Sequence, residues 1–195
     1  MKNFILTVGI LLVINTGVIF SQSIQSKKNL LRIESGSAFT GSGDLYGFCF
    51  YNEYSRLIGN RFKLSPSLGF LNFYNDDNQD ISLAINANAL SFELAGYYLP
   101  IKRDRFAIEL GLGGYYRNWQ WTYATGDGQY FSSEGLTLGP NSYAAQTRKG
   151  IGYSVSIGTG IEIIEILGLN LRAVYQIDTN GDNTLSGRIG LNIKF

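Results

Sequence analysis

The sequence predicts an all-β protein, an antiparallel up-and-down β-barrel of eight strands that spans a membrane. Alternating apolar and polar residues recur along most of the chain, and turn-forming residues separate the alternating segments. The composition includes 24 glycines, 13 tyrosines and 12 phenylalanines but only 3 prolines, which suits twisted strands better than helices. At 195 residues the chain is long enough for one such barrel, and nothing in it suggests a second domain.

The first residues have the three parts of a secretory signal peptide: a basic start, an apolar core from Phe4 to Ile14 and a small residue at Ser21. A membrane-spanning helix needs roughly 20 largely apolar residues, and Asn15 interrupts this run early. We therefore expect a signal peptide at residues 1–21 and an exported barrel domain at residues 22–195.

Eight segments then have strand character, and most reach the roughly 9 to 11 residues that cross a bilayer at a tilt. In chain order they are Leu30–Thr40, Asp44–Ile58, Arg61–Tyr74, Ile81–Leu99, Arg105–Tyr123, Gly150–Ile164, Gly168–Asp178 and Thr184–Phe195.

The connections between these segments differ in length at the two ends of the predicted barrel. Compact connections occur at Gly59-Asn60, Pro100–Asp104 and Glu165–Leu167, whereas the other end has Asn75–Asp80, Ala124–Lys149, Asn180–Asn183 and a brief Gly-Ser-Gly turn. Transmembrane barrels show this asymmetry between short turns and longer loops.

Each strand has one apolar and one polar face. In the sixth segment the apolar face holds Ile151, Tyr153, Val155, Ile157, Thr159, Ile161 and Ile163, and the fifth and third segments alternate in the same way. Alternation alone fits either a soluble barrel with an apolar interior or a membrane barrel with an apolar exterior. The polar faces are dominated by Gly, Ser, Ala and Asn, which suits the narrow interior of an eight-stranded barrel.

Isolated charges on the polar faces nearly balance, so we expect them to pair inside the barrel, where an unpaired ion costs several kcal/mol. This predicted lumenal charge network consists of Arg32, Arg61, Lys63, Arg117, Arg172, Arg188 and Lys194 against Glu34, Glu53, Glu93, Glu109, Glu162 and Asp178.

Aromatic residues gather toward the strand ends, where aromatic girdles line the two membrane interfaces of such barrels. The predicted girdles contain Phe73, Tyr74, Trp119, Trp121 and Tyr123 before the longer loops, and Tyr97, Tyr98, Phe106 and Phe195 near the short turns.

The sequence offers little catalytic or metal-binding chemistry. It has no histidine, which removes the usual general base and the commonest metal ligand, and its single cysteine, Cys49, is expected to fill space within a strand. A net charge of +1 gives no reason to expect nucleic acid as a partner. No enzymatic activity, cofactor or metal is predicted.

Two motifs are better explained by structure than by ligand binding. Asp178, Asn180 and Asp182 have the spacing of the first EF-hand ligands, but Asn183 replaces the required glycine and Ile189 the required glutamate, so a hairpin turn is favoured. No helix follows the Gly111–Gly114 stretch, so it is expected to make room for large lumenal side chains and not to bind phosphate.

The connection Ala124–Lys149 exceeds the usual loop length of about 12 to 15 residues, and such loops are usually functional or disordered. Two short strand-like runs inside it could form a hairpin above the membrane that binds a surface partner by strand addition. A freely varying, solvated loop is the alternative.

The chain ends on GRIGLNIKF, in which Gly187, Ile189, Leu191, Ile193 and Phe195 alternate with polar residues up to the last position. With the leader, strand number and loop asymmetry, this ending resembles the OmpA-like, eight-stranded outer-membrane β-barrels of Gram-negative bacteria, in the porin family. The resemblance implies an assembly signal at those five residues, read in the periplasm by the barrel assembly machinery, and contact with outer-membrane lipid. No peptidoglycan-binding domain follows the barrel, so a cell-wall tether is not implied.

We therefore expect a small, non-enzymatic outer-membrane barrel that contributes to envelope integrity or surface interaction through its extracellular loops. The alternatives are a secreted, lipocalin-like soluble barrel that binds a small apolar ligand, and a diffusion porin, which the narrow lumen disfavours.

Overall fold

The computed structural model describes residues 28–41, 45–74, 84–125, 129–132, 135–138 and 142–195, and these form strands joined by turns. The strands are β1 (Asn29–Thr40), β2 (Tyr46–Ile58), β3 (Phe62–Tyr74), β4 (Ala84–Lys102), β5 (Phe106–Thr125), β6 (Gln129–Ser132), β7 (Gly135–Leu138), β8 (Ser142–Ile164), β9 (Leu167–Asp178) and β10 (Asn183–Lys194). None of the described residues belongs to a helix of the length and apolarity needed to cross a membrane. The predicted signal peptide lies outside the described residues.

Eight of these strands close into an antiparallel barrel in the order β1-β10-β9-β8-β5-β4-β3-β2, and β6 pairs with β7 in a separate two-stranded sheet. The barrel closes between its first and last strands, with a register from Leu30 opposite Lys194 to Thr40 opposite Thr184. The predicted fold class is confirmed, and of the two alternatives for Ala124–Lys149 the structure has the hairpin, formed by β6 and β7.

The largest difference from the predicted strands concerns β8, which begins at Ser142 and not at Gly150. Residues 142–149 were expected to belong to the long loop, but they pair with β5 up to the match of Ser142 with Thr125. Their sequence, SYAAQTRK, lacks apolar alternation, so the sequence signal for a strand with one buried face was absent.

The two ends of the barrel differ as expected. We call the end with the turns at 59–61, 103–105 and 165–166 the short-turn end; it also holds Asn29 and Phe195, which exchange two backbone hydrogen bonds of 3.2 and 3.0 Å. We call the opposite end, with the connections 41–45, 75–83, 126–141 and 179–182, the long-loop end. Gly59 at the short-turn end and Gly181 at the long-loop end have positive φ of 65° and 83°, which favours glycine at these tight turns.

The alternation of side chains separates the inside from the outside along each strand. On β5, Leu110 and Leu112 are 45% and 66% exposed, whereas the neighbouring Glu109 is 6% exposed and Arg117 is fully buried. The same arrangement holds for β8, where Ile157 is exposed and Ser154 is buried. Because the apolar face points outward and the charges point inward, the soluble lipocalin-like alternative is wrong.

The interior has two layers. Toward the long-loop end, an apolar and aromatic cluster contains Ala38, Leu45, Cys49, Tyr51, Leu71, Phe73, Ala87, Ala89, Trp119 and Trp121. From the middle of the barrel toward the short-turn end, charged side chains replace it. Cys49 is a free, buried thiol within the first layer, as its expected space-filling role requires.

Candidate functional site

The charged layer is centred on Arg32 of β1, whose guanidinium contacts two carboxylates from other strands. Nη1 donates to Glu53 at 3.1 Å, and Nη2 donates to both oxygens of Glu109 at 3.0 Å. Lys63 of β3 forms a second ion pair with Glu109. All four side chains are buried, so each charge depends on its partner instead of on water.

A second arginine, Arg172 of β9, extends these contacts across the barrel. It lies 2.8 Å from Glu53 and 3.1 Å from Glu34, and it also donates to the hydroxyl of Tyr97. That hydroxyl donates to Glu53 at 3.0 Å. Glu53 therefore accepts from Arg32, Arg172 and Tyr97 at once.

A third arginine, Arg117 of β5, is joined to a carboxylate through an intervening amide. Arg117 donates to the side-chain oxygen of Gln176, and the amide nitrogen of Gln176 donates to Glu93 at 3.2 Å. Arg117 also lies 4.6 Å from the centre of the Tyr115 ring, so its charge is stabilised by a cation–π contact as well as by the amide. Ser154 donates to the other oxygen of Glu93.

Arg188 of β10 lies nearest the aromatic layer. Its guanidinium is 3.6 Å from the centre of the Tyr51 ring, and its Nε donates to Ser186 at 3.0 Å. Among the described residues, no carboxylate oxygen lies within 4.0 Å of it, so the aromatic face is its principal electrostatic partner.

At the short-turn mouth, Lys194 of β10 pairs with Glu162 of β8, and both side chains are about one-third exposed. Lys194 is the last residue of the final strand, so this pair lies at the rim. It is the most solvated ion pair of the set.

Arg61 is the one residue of the predicted lumenal set that does not belong inside the barrel. It lies in the exposed turn between β2 and β3, one residue before β3 begins. Without it, the remaining set is balanced, six cations against six carboxylates: Arg32, Lys63, Arg117, Arg172, Arg188 and Lys194 with Glu34, Glu53, Glu93, Glu109, Glu162 and Asp178.

The neutral partners of these ions were not singled out from the sequence. They are polar groups that donate to or accept from the charged side chains, and they include Tyr97, Ser154, Gln176, Thr184 and Asn192. The only sequence signal for them is their inward position in the strand alternation, which they share with the charges.

Several aromatic residues predicted for the membrane girdles are instead inside the barrel. Phe73 and Trp119 are fully buried, and Trp121 and Tyr97 are 5% and 3% exposed. Trp119 packs on Phe73 and Trp121 with ring centroids 5.7 and 5.3 Å apart. These residues have the same parity as the inward-facing charges on their strands, and the alternation continues without a bulge, so it directs them into the lumen.

Other predicted girdle residues do face outward. Tyr74, Tyr98 and Phe106 are exposed, and Phe195 contacts Tyr54 with ring centroids 6.3 Å apart. The side chain of Tyr123 lies outside the described residues.

The acidic motif at the end of β9 forms the predicted hairpin turn. One oxygen of Asp178 accepts from the backbone amides of Asn180 at 2.9 Å and Asp182 at 3.1 Å. This side chain therefore closes the turn that Gly181 completes. No group of three or more potential metal ligands occurs in the described ranges.

The charged layer ties the whole barrel together. Its side-chain hydrogen bonds join β1 to β10, β2 and β5, β3 to β5, β4 to β2 and β8, and β9 to β2. Every barrel strand is therefore reached by at least one of these bonds. Together with the aromatic layer they fill the narrow lumen, which does not favour a diffusion pore.

No protein-family model and no curated protein sequence matches the chain. Among solved structures, the chain is similar to Ail, the attachment invasion locus protein of Yersinia pestis, with a TM-score of 0.56 and 9% identity over 86% of this chain and 97% of Ail. It is also similar to Neisserial surface protein A, with a TM-score of 0.60 and 13% identity over 86% of this chain and 97% of the other.

A third similar structure is the N-terminal β-barrel domain of Pseudomonas aeruginosa OprF, with a TM-score of 0.51 and 13% identity over 88% of this chain and 100% of that domain. At these identities the comparisons establish the fold. The apolar exterior described above indicates that the outer face of the barrel is in contact with lipid and not with water. The chain is an eight-stranded β-barrel of the outer-membrane type, with an apolar exterior that suits lipid and a charged, side-chain-filled lumen.

Proposed function

We propose that this protein is a small, non-enzymatic outer-membrane barrel whose long-loop end contributes to envelope integrity or to surface interaction. The observation that supports this proposal most strongly is that strands β5 and β8 continue well beyond the apolar band, the part of the barrel whose outward-facing residues are apolar. The names of two similar proteins, an attachment protein and a surface protein, make surface interaction the first role to test.

The apolar band on β5 ends well before the strand does. Outward residues from Phe106 to Tyr116 are largely apolar, which matches the roughly 9 to 11 residues that cross a bilayer. Beyond Tyr116, the outward positions Asn118 and Gln120 are polar and exposed. At about 3.3 Å per residue, the strand from Arg117 to Thr125 extends some 25 to 30 Å past the band.

The projecting part of β8 has one unpaired edge. Its residues from Ser142 to Gly150 pair with β5, whereas pairing with β9 begins only at Gly152. Near the barrel rim the side chain of Asn180 donates to the carbonyl of Lys149 at 3.1 Å. Above that point, no described strand pairs with the second edge of β8, so its backbone groups are free to pair with an added strand.

Non-enzymatic function is proposed because the whole sequence lacks histidine, and the carboxylates of Glu34, Glu53, Glu93 and Glu109 in the charged layer are engaged by arginine, lysine, amide or hydroxyl groups. We also propose that the barrel assembly machinery reads the alternate residues of β10, Gly187, Ile189, Leu191, Ile193 and Phe195. The outward exposure of Ile189 and Leu191 supports this, since both are accessible on the finished strand.

A shortened variant tests the two roles. Residues 122–145, which include the outer ends of the projecting parts of β5 and β8, are replaced by a short Gly-Ser turn that joins Trp121 to Gln146, and cells are compared for adhesion to surfaces and for entry of a fluorescent hydrophobic dye. Loss of adhesion with an intact barrier supports surface interaction, and dye entry supports a role in envelope integrity. Wild-type behaviour in both assays contradicts the proposal.

Two neighbouring proline variants, Ala145→Pro and Gln146→Pro, test the edge itself. Successive amides of a strand point to opposite sides, and the carbonyls of Lys149 and Ile151 point away from β5. Ala145→Pro, at the same parity, is therefore the edge variant and removes only a donor from the free edge, whereas Gln146→Pro removes a bond to β5. The edge variant should lose adhesion while keeping wild-type thermal stability. Adhesion that survives in that variant rules out strand addition at β8.

A further inference from the structure

A cavity of about 130 Å³ opens at the short-turn end, below the charged layer. We call it the vestibule; its polar lining includes Lys28, Lys63, Lys102, Arg103, Glu109 and Lys194. Lys63 and Glu109 form its inner wall, and they belong to the ion-paired layer that closes the lumen above. The vestibule is therefore a blind recess and not the entrance of a channel.

Three cations of the vestibule have no carboxylate partner in the described part of the chain. Lys63 is paired with Glu109, and Lys194 with Glu162. Within the described ranges, Lys28, Lys102 and Arg103 form no such pair, and the one side-chain bond of the three is from Lys102 Nζ to the carbonyl of Asn60 at 3.3 Å. Because the lumenal ions balance one another, these three charges are an excess at the mouth.

Backbone hydrogen bonds fix the main chain of two of these residues at the rim, and their charged side chains are exposed. The carbonyl of Lys28 accepts from the amide of Leu57 at 2.8 Å, and the amide of Arg103 donates to the carbonyl of Phe106 at 2.8 Å. Asp104 and Glu165 lie at the same end of the barrel, but neither lines the vestibule. Glu162 does line the vestibule, but its carboxylate is paired with Lys194, so the side chains left over at the rim are cations.

We propose that the vestibule binds a phosphate group, held by Lys28, Lys102 and Arg103. A phosphate with a charge of about −1.5 to −2 matches three excess cations better than a carboxylate does. The volume corresponds to roughly four waters of liquid, which suits a phosphate with a small substituent. Leu57 and Leu99 complete the lining and limit the room for a larger polar ligand.

The test uses full-length mature protein in nanodiscs of phosphatidylcholine, titrated with inorganic phosphate at constant ionic strength and followed by amide NMR shifts. Wild-type shifts should saturate and concentrate at residues 28–30 and 102–107. The triple variant Lys28→Gln/Lys102→Gln/Arg103→Gln should weaken binding at least about tenfold, since a charge-assisted hydrogen bond contributes enough for about one decade of affinity.

The control is the triple variant Arg56→Gln/Arg61→Gln/Arg105→Gln, which removes the same charge from exposed residues at the same end that do not line the vestibule. It should bind phosphate within about twofold of wild type, apart from weak long-range electrostatics. Equal loss in both triple variants would show a diffuse basic rim and overturn the proposal, as would unsaturable shifts in the wild type. Arg103→Lys keeps the charge and should retain most of the affinity.

A second arm identifies the source of the phosphate. In nanodiscs that contain phosphatidylglycerol, a lipid headgroup in the vestibule would produce the same shifts without added phosphate, and added phosphate would compete. Unchanged phosphate binding in these discs would show a soluble phosphate ligand. Both results support phosphate recognition, whereas shifts that appear with phosphatidylglycerol and persist in the Lys28/Lys102/Arg103 variant overturn it.

Discussion

Large side chains inside the barrel limit the size of the residues beside them, and Gly111 shows this most directly. A Cβ at Gly111 would lie 2.3 Å from the Ser156 hydroxyl and 2.5 Å from the Tyr97 ring. The ring cannot move freely, because its hydroxyl bonds Glu53 and Arg172. Gly114 on the same strand faces outward, and its Cβ would meet no atom closer than 3.9 Å.

We therefore expect Gly111→Ala to destabilise the folded barrel by about 1 to 3 kcal/mol through overpacking. Gly114→Ala should be neutral or slightly stabilising, because alanine restricts the unfolded chain more than glycine does. Urea unfolding of both variants in detergent micelles measures the difference. Equal stability of the two would mean that the lumen adjusts to the added methyl group.

The ion pairs also differ residue by residue. We expect Glu109→Gln to cost about 3 to 5 kcal/mol, because it leaves buried Arg32 and Lys63 without a shared carboxylate. Glu162→Gln should cost at most about 1 kcal/mol, because its pair with Lys194 is partly solvated. The free energies of unfolding of the two variants in micelles, each compared with wild type, test this difference. A small effect of Glu109→Gln would show that water enters the charged layer.

For single residues, the sequence predicts whether a side chain points inward or outward better than it predicts which residues that side chain contacts. Alternation alone correctly places Glu109 inside and Leu110 outside, since a strand has a period of two. Trp119 was assigned to a girdle because aromatic residues favour membrane interfaces, yet its parity with Arg117 places it inside. The triple contact on Glu53 joins residues from β1, β4 and β9, and a single sequence holds no signal for such a meeting.

At the scale of the strand, the exterior of β8 should be sensitive to charge in proportion to depth. Ile157 lies opposite Leu110 near the middle of the apolar band, and Ile163 lies near the short-turn rim. We expect Ile157→Arg to destabilise the barrel in lipid by about 2 to 4 kcal/mol and Ile163→Arg by at most about 1. Unfolding from lipid vesicles measures both. A depth-independent cost would contradict the assigned position of the bilayer.

The ends of strands are the elements that the sequence predicts least well. Within the apolar band the alternation identifies each strand, because lipid on one face and packed polar groups on the other impose it. Above the band, both faces of β8 are exposed from Ala145 to Lys149, so this part of the strand carries no such pattern although its backbone pairing with β5 continues. Arg61 shows the same effect at the other end of the barrel. It fits the alternation of β3, but the strand itself begins one residue later, at Phe62.

The whole molecule is a membrane barrel whose lumen is closed by its own charged side chains. The sequence predicts a closed barrel from the number of strands and from the difference in length between the two sets of connections. Both features agree with the structure. The balance of lumenal charge could be read from composition, but the vestibule could not, because its lining comes from the ends of all eight barrel strands.

In this fold lipid surrounds the apolar face of the barrel and the charged face is enclosed. The most direct measurement is spin-label accessibility along β5 in lipid vesicles, with single cysteines at positions 108, 110, 112, 115, 116, 118, 119 and 120 in a Cys49→Ala background. Labels at 108, 110, 112 and 116 should collide with oxygen, those at 118 and 120 with a water-soluble nickel complex, and those at 115 and 119, where the label replaces a buried ring, with neither. Reversed parity, or uniform access to the nickel complex along the strand, would contradict a transmembrane barrel with an enclosed ionic core.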